Sequence, residues 1–407
     1  MAFDLIRVCA FGDCDPAWLA NLRLADASSV EAAEFDVTPA PDDADLARLL
    51  VTVRPQVIIS VGEIEQFPRL LNAPLEYRRR WLHFPTQEDP QHVAAMIMEC
   101  YIQNVATARF PDYPLVSVFT PTYLTGDLIQ RPWQSLRNQV YDNWEWVLYD
   151  DSPDDGETFA QLRALAQTDA RVQVFRAAEP SGVIGEVKRR CCGLARGAIL
   201  LELDHDDELT PNAINDVVEA YRHYPDAGFF YTDCAEVFAD GTNAVYGDNW
   251  AFGYGSYRTE TYRGHEYMVS NYPDINAKTI RHIVGVPNHI RAWTREAYQR
   301  AGGHSPDLHV VDDYELLLRT FLTTRMVHIM RFGYIQHYHN SADGNTHRKR
   351  NAEIQRLVRY LAAAYNDRIH ERLLELGVDD FMWTPGGYLD WDTEAPIPTP
   401  AANYRMG

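Results

Sequence analysis

An apolar run at residues 199–203 ends in Asp204-His205-Asp206-Asp207. In an extended segment, residues two apart face the same way, so Asp204 and Asp206 can present oxygens to one divalent cation while His205 points elsewhere. Hard oxygen donors select Mg²⁺ or Mn²⁺, and such an ion keeps positions open for phosphate oxygens. Downstream, Thr210 and Pro211 read as the N-cap and first residue of a helix, a role in which Asp207 can share. A second acidic pair, Asp312-Asp313, precedes the apolar positions Leu316, Leu317 and Phe321, whose spacing predicts a helix starting near Asp312. The dipole of that helix favours ionised carboxylates at its start, and an ionised carboxylate can accept a proton.

These residues need a frame to converge on one place. Alternating apolar and helical segments after residue 112 predict strands at 115–119, 144–149, 172–175, 199–203 and 228–231, the βαβ pattern of a mostly parallel, twisted sheet. Ligands of open parallel sheets bind beyond the carboxyl ends of the strands. Thr120-Pro121-Thr122 follows the first of these strands and Asp150-Asp151-Ser152 the second. Upstream, strands at 5–10 and 57–61 with helices at 16–24 and 45–53 predict a small Rossmann-like α/β domain over residues 1–110. A helix at 92–107 and prolines at 111 and 114 lead into a second domain over 112–347. Residues 239–283, rich in Gly, Tyr, Asn and Asp without a sustained period, read as a substrate-facing insertion. A helix at about 350–376 and an irregular tail make up residues 348–407.

Composition narrows the function classes. The chain has 407 residues, 46% hydrophobic and 23% charged, which excludes a disordered or coiled-coil chain and gives a prior of two to three domains. Lys+Arg 37 against Asp+Glu 58 gives a net charge of −21, which argues against general nucleic-acid binding. No apolar run approaches the ~20 residues that span a bilayer, so the expectation is a cytoplasmic protein, with peripheral membrane contact left open. Six cysteines without CxxC spacing argue against structural zinc and against a disulfide framework.

Read together, Pro114-Leu-Val-Ser-Val-Phe-Thr-Pro-Thr-Tyr123, Val147-Leu-Tyr-Asp-Asp-Ser152 and Leu201-Glu-Leu-Asp-His-Asp-Asp207 resemble, in order and spacing, the successive motifs of glycosyltransferase family 2. These are inverting sugar transferases with a GT-A fold, and the resemblance covers about residues 114–347. It implies that Thr120, Pro121 and Thr122 lie against a nucleotide, and that Asp150 and Asp151 meet its base or ribose. It further implies that Lys188 lies near the nucleotide, with Asp204 and His205 also on the donor side. The family commonly has Arg-Asn where this chain reads Lys188-Arg189. Gly302 to Arg319 resembles the segment whose second acidic residue is the general base, which falls on Asp313. The pair is Asp-Asp here where the family usually has Glu-Asp.

Tyr334 to Asn340 resembles the closing segment, in which a histidine can reach the metal or the diphosphate. His339 is the better match, and His337 shares its face of a strand; a hydrogen-bonded histidine pair is the equal alternative. The implied activity is metal-dependent transfer of a sugar from a nucleoside-diphosphate donor, with UDP-sugars favoured, to a hydroxyl acceptor on a glycan or small molecule. Trp250, Tyr254, Tyr257, His265, Tyr267 and Trp293, with Asp312, are candidates for the acceptor side, because aromatic faces bind the C–H patches of sugars. Two other classes compete. A non-catalytic nucleotide- or carbohydrate-binding protein could keep the fold, and a sugar nucleotidyltransferase would need a Gly-rich phosphate loop that Thr120-Pro121-Thr122-Tyr123 does not provide.

Overall fold

The computed structural model describes residues 5–24, 33–247, 250–338, 349–390 and 395–398. Contacts divide the chain into two units. The first comprises Met1–Gly126, Asn143–Ser181 and Arg190–Leu200, and the second Asp127–Asp142, Gly182–Arg189 and Leu201–Gly407.

The first unit opens with a five-stranded sheet of β1 (Ile6–Gly12), β2 (Arg23–Leu24), β3 (Ala33–Ala40), β4 (Val57–Val61) and β5 (Trp81–Phe84), in the order β2-β3-β1-β4-β5. All neighbours are parallel except β2 with β3. Val8, Ala10, Val57, Ile59 and Leu82 pack with Val93, Ile97 and Cys100 of the helix Pro90–Arg109. That helix starts as its sequence dictates, with Asp89 accepting the His92 N–H at 3.0 Å and Pro90 in the first turn. The helix expected at 16–24 stops at Ala20. Asn21 turns its amide back on the Ala17 carbonyl at 2.9 Å, and Arg23–Leu24 leave as a strand.

The same unit holds β6 (Val116–Thr122), β7 (Trp144–Asp150) and β8 (Val172–Arg176), a parallel set in that order. β6 and β7 are buried along their whole length, so the polar residues they carry must find partners inside the protein. Glu145 is wholly buried on β7. Its carboxylate accepts from Ser117 Oγ (2.5 Å), Gln173 Nε2 (2.9 Å) and both the backbone N–H (2.5 Å) and Nε (2.6 Å) of Arg196. Glu145 therefore ties three segments of the unit together through one charge.

β9 (Ile199–Glu202) carries the chain into the second unit, which adds β10 (Glu208–Leu209), β11 (Ala227–Phe238), β12 (Ser256–Tyr262), β13 (His265–Asn271), β14 (Arg291–Thr294) and β15 (Arg325–Tyr338). β11 and β15 pair in parallel, while β10 pairs antiparallel with β15, and β13 and β14 pair antiparallel with β11. The segment at 239–283, read as a substrate-facing insertion without a sustained period, contains the β12–β13 hairpin. Arg263 and Gly264, at φ 50° and 76°, make its two-residue turn, whose left-handed residues match the twist of the strands. Thr210 does not cap a helix. Its hydroxyl donates to the Phe332 carbonyl at 2.7 Å on β15, and the helix begins at Ala213.

The single helix expected at 350–376 is two, Asn351–Ala364 and Asn366–Glu375. The break sits where Asn366 is wholly buried and its Oδ1 accepts from Arg281 Nε (3.1 Å) and Nη2 (3.0 Å). Among the described residues no helix is long and apolar enough to cross a membrane.

Glu145→Ala strips the buried Arg196 guanidinium of its carboxylate. It should lower the unfolding free energy by about 3–5 kcal/mol in a urea titration; a loss below about 1 kcal/mol would contradict the role assigned to this pair.

Candidate active site

In the second unit, carboxylates and cations converge from four elements. Glu202 closes β9 and is wholly buried. It faces Lys188 of the helix Ile184–Leu194, Oε1 to Nζ 2.7 Å, and Arg291 at the start of β14, Oε2 to Nη1 3.4 Å. Each cation then reaches one member of the acidic pair. Lys188 Nζ lies 3.3 Å from Asp312 Oδ2, and Arg291 Nη2 lies 2.9 Å from Asp313 Oδ2.

Two backbone features let these groups meet. A Cβ on Gly185 would lie 2.1 Å from the Ser305 carbonyl oxygen and 3.3 Å from Asp312 Cβ, so only glycine lets the Lys188 helix start against this segment. Val311, a β-branched residue, takes a left-handed φ of 58° just before the helix Asp312–Thr323. Such a conformation costs about 1–3 kcal/mol and persists only where the surroundings impose it. Here it delivers both aspartates into the first turn of the helix, where the N-terminal dipole favours negative charge.

The two aspartates differ in environment. Asp312 is buried, its side chain 6% exposed, and its carboxyl is pushed up to about 6. Burial is the main cause; the pull of Lys188 is partly offset by repulsion from Asp313 and Glu202. Asp313 is 23% exposed, and although burial raises it, Arg291 and Lys188 outweigh that and hold it below the ordinary carboxylate range. Asp313 is therefore the ionised member with a face toward solvent.

The expected cation ligands lie in the same electrostatic neighbourhood, for Lys188 and Arg291 each feel Asp204 as well as Glu202, Asp312 and Asp313. Asp204 Oδ2 stands 3.4 Å from His289 Nε2. Burial and the charges of Glu202 and Asp206 push Asp204 upward against the pull of Lys188. Asp207, buried, accepts from Tyr334 Oη (2.8 Å) and the His337 N–H (2.7 Å), and is raised by burial and by Asp206 and Asp204. Carboxylates that raise one another in this way fit a divalent cation, whose charge offsets their repulsion. Among the described residues no group of three or more His, Cys, Asp or Glu stands in ligating geometry. His339, the third expected ligand, lies outside the described residues. His337 is engaged elsewhere, its Nε2 3.0 Å from Glu208 Oε1.

The first unit gathers the strand-end residues of β6 and β7. Thr122 Oγ1 donates to the Tyr149 carbonyl at 3.1 Å, and Asp150 Oδ1 accepts from Ser152 Oγ at 2.6 Å and the Ser152 N–H at 3.2 Å. Asp151 accepts the Ser181 N–H at 2.7 Å. Thr120 has no exposed surface, and its hydroxyl accepts the Trp146 indole N–H at 2.8 Å, which ties the strand end to β7. Pro121 adjoins it on β6.

The aromatic candidates separate. Trp250 borders a cavity, Tyr254 is exposed but does not line it, and His265 packs on Tyr267 beside the hairpin turn, ring centroids 4.5 Å apart. Trp293 is wholly buried, donates its indole N–H to Thr320 Oγ1 at 3.0 Å and packs edge-on against Phe229, so no face is open to a sugar. His205 is half-buried. The sequence reading missed Glu202, His289 and Arg291. The available signal was a carboxylate inside an otherwise apolar strand, and the polar Asn288-His289 with Arg291 at the start of another.

Residues 117–300 match the family described as Glycosyl transferase family 2. The uncharacterized protein y4gI of Sinorhizobium fredii is 39% identical over 33% of this chain and 15% of its own length. The O-antigen biosynthesis protein RfbC of Myxococcus xanthus is 26% identical over 53% of this chain and 15% of its length. A chondroitin synthase of Escherichia coli is 24% identical over 70% and 36%. This chain thus spans a small part of the relatives it matches. Among solved structures, S. aureus TarS in complex with UDP-GlcNAc aligns with a TM-score of 0.46 at 15% identity, over 63% of this chain and 72% of that one.

The raised carboxyl of Asp312 makes a pH prediction. Between its ordinary value of 3.8 and its folded value of about 6, the folded chain holds a proton that the unfolded chain has released, so Asp312 costs stability as pH rises through that window. Asp312→Asn should therefore gain stability relative to wild type on going from pH 4 to pH 7, by on the order of 1–3 kcal/mol in paired urea titrations. A difference that stays constant or shrinks with pH would contradict the assignment.

Proposed function

We propose that the chain, whose residues 117–300 match the family described as Glycosyl transferase family 2, is an inverting, metal-dependent glycosyltransferase of the GT-A type. It moves a sugar from a nucleoside diphosphate, with a UDP-sugar as donor, to a hydroxyl acceptor. The observation that carries the reading is the split within the acidic pair: Asp313, ionised and partly exposed, beside Asp312, buried against Lys188. Two carboxyls whose environments drive them apart mark an assigned base and its support.

In this reading Asp313 receives the proton of the acceptor hydroxyl as its oxygen attacks the anomeric carbon. The bond from that carbon to the diphosphate breaks, the electron pair leaves with the diphosphate, and the configuration inverts in one displacement. Arg291, itself anchored on Glu202, keeps Asp313 ionised and fixes its orientation. The Tyr314 N–H, 2.7 Å from Asp313 Oδ1, holds the other oxygen. Asp206 and Asp204, with His339, would hold a Mn²⁺ or Mg²⁺ ion. Such an ion supplies positive charge for the departing diphosphate, the largest single contribution in transfers of this kind. Thr122, Asp150, Asp151 and Lys188 are assigned to the nucleotide side. The domain division at residues 1–110, 112–347 and 348–407 belongs to the same reading. A cytoplasmic setting accords with six free thiols, all but Cys14 buried.

Two measurements test it. Asp313→Asn should lower the transfer rate by about 10²–10⁴-fold, the weight of a general base, with donor KM nearly unchanged; turnover like that of wild type would remove Asp313 from the role. Asp206→Ala should weaken UDP binding in the presence of Mn²⁺ by calorimetry, and equal affinities for the two proteins would displace the cation assignment.

A further inference from the structure

In the second unit a cavity of about 540 Å³ falls within the size range of small-molecule sites, about 300–1,000 Å³. Tyr246, Trp250, Phe252 and Tyr272 form its aromatic walls, and Glu236 and Asn288 are prominent among its polar groups. Trp250 is the fixed panel. A Cβ on Gly255 would fall 1.6 Å from the Trp250 ring, so the missing side chain is what makes room for it, and Tyr272 meets the ring edge-on at 5.4 Å between centroids.

Asn288 joins the cavity to the base. Its Nδ2 donates to Gln336 Oε1 at 2.9 Å, which fixes the amide, and its Oδ1 accepts from Arg291 Nη2 at 3.4 Å. The same Nη2 is paired with Asp313 Oδ2 at 2.9 Å. Asn288, in the cavity wall, is thus two hydrogen bonds from the carboxylate assigned to take the acceptor's proton.

The lining also has a sign. Glu236, which accepts the Tyr338 hydroxyl, is its carboxylate, and among the described residues no lysine or arginine lines it. Lys278 lies over the Phe252 ring, 3.9 Å from the centroid, without lining the cavity. Aromatic faces favour the C–H surface of a pyranose, Asn288 and Glu236 can bond its hydroxyls, and burial, which already pushes the Glu236 carboxyl upward, makes a second carboxylate beside it costlier still.

Resting on the transferase reading above, we propose that this cavity is the acceptor subsite and that it takes an uncharged pyranose unit, excluding a uronate. The test uses the full chain with UDP and Mn²⁺ and, as probes, methyl glucopyranoside, methyl N-acetylglucosaminide and methyl glucuronide, read by saturation-transfer difference NMR. At least one neutral glycoside should show saturation of its ring C–H protons. The signal should weaken about tenfold, the equivalent of a lost stacking contact of about 1.4 kcal/mol, in Gly255→Ala and in Phe252→Ala, whose side chain is already 43% exposed. The glucuronide should give no signal until Glu236→Gln is introduced.

Silence from both neutral glycosides, an equal signal from the glucuronide in wild type, or full signal in both aromatic-site variants would overturn the proposal. A thermal shift with UDP and Mn²⁺, run on each protein, separates the two readings. Its loss in wild type counts against the transferase reading, while its retention with silent glycosides counts against the subsite alone.

Discussion

Glu202 has no exposure to water, and its charge holds Lys188 and Arg291 in the interior of the second unit. Taking three ionised groups out of water is costly, and replacing such a set with apolar residues often stabilises a protein. What the arrangement provides here is difference. Because the two cations are already shared with Glu202, each can hold one aspartate of the 312–313 pair without neutralising it fully. One partner emerges raised and buried, the other lowered and open. The proposed role of Asp313 and the electrostatic setting of Asp204 follow from this triangle.

The backbone is bent to serve the same end. Val311 sits in a left-handed conformation, and Gly185 allows an approach closer than any side chain permits. Both features press the start of one helix against the segment that carries the acidic pair. Around them the hydrophobic cluster of Val310, Val311, Tyr314, Leu318 and Phe321 with Ile354, Val358, Leu361 and Ile369 of the two C-terminal helices supplies the packing that holds the strain. The C-terminal segment is thus part of the support of the site.

Much of this was legible in the chain. β4 and β6–β8 are near-continuous apolar runs, which period and length identify directly. β3 carries an interior proline and mixed polarity, and β5 is four residues long, so neither announces itself. The β12–β13 hairpin was hidden because Arg-Gly is not a common turn pair, although Tyr257, Thr259 and Thr261 alternate with charged and aromatic neighbours along β12. The acidic pair and the Asp204–Asp207 run were visible because their order and spacing repeat a family pattern. Glu202, His289 and Arg291 were not, since a buried charge has meaning only through the partner that faces it, and those partners are 14 to 89 residues away in the chain.

The central claim is that the carboxylates gathered around Glu202 leave Asp204 and Asp206 to hold a cation under a diphosphate. Diffraction at the manganese edge from crystals soaked with UDP and MnCl₂ addresses it directly. The account predicts one anomalous peak bonded to Asp206, at metal–oxygen distances of about 2.0–2.6 Å, with the UDP phosphates completing its coordination. A peak elsewhere, or ordered UDP with both aspartates turned away from it, would contradict the account.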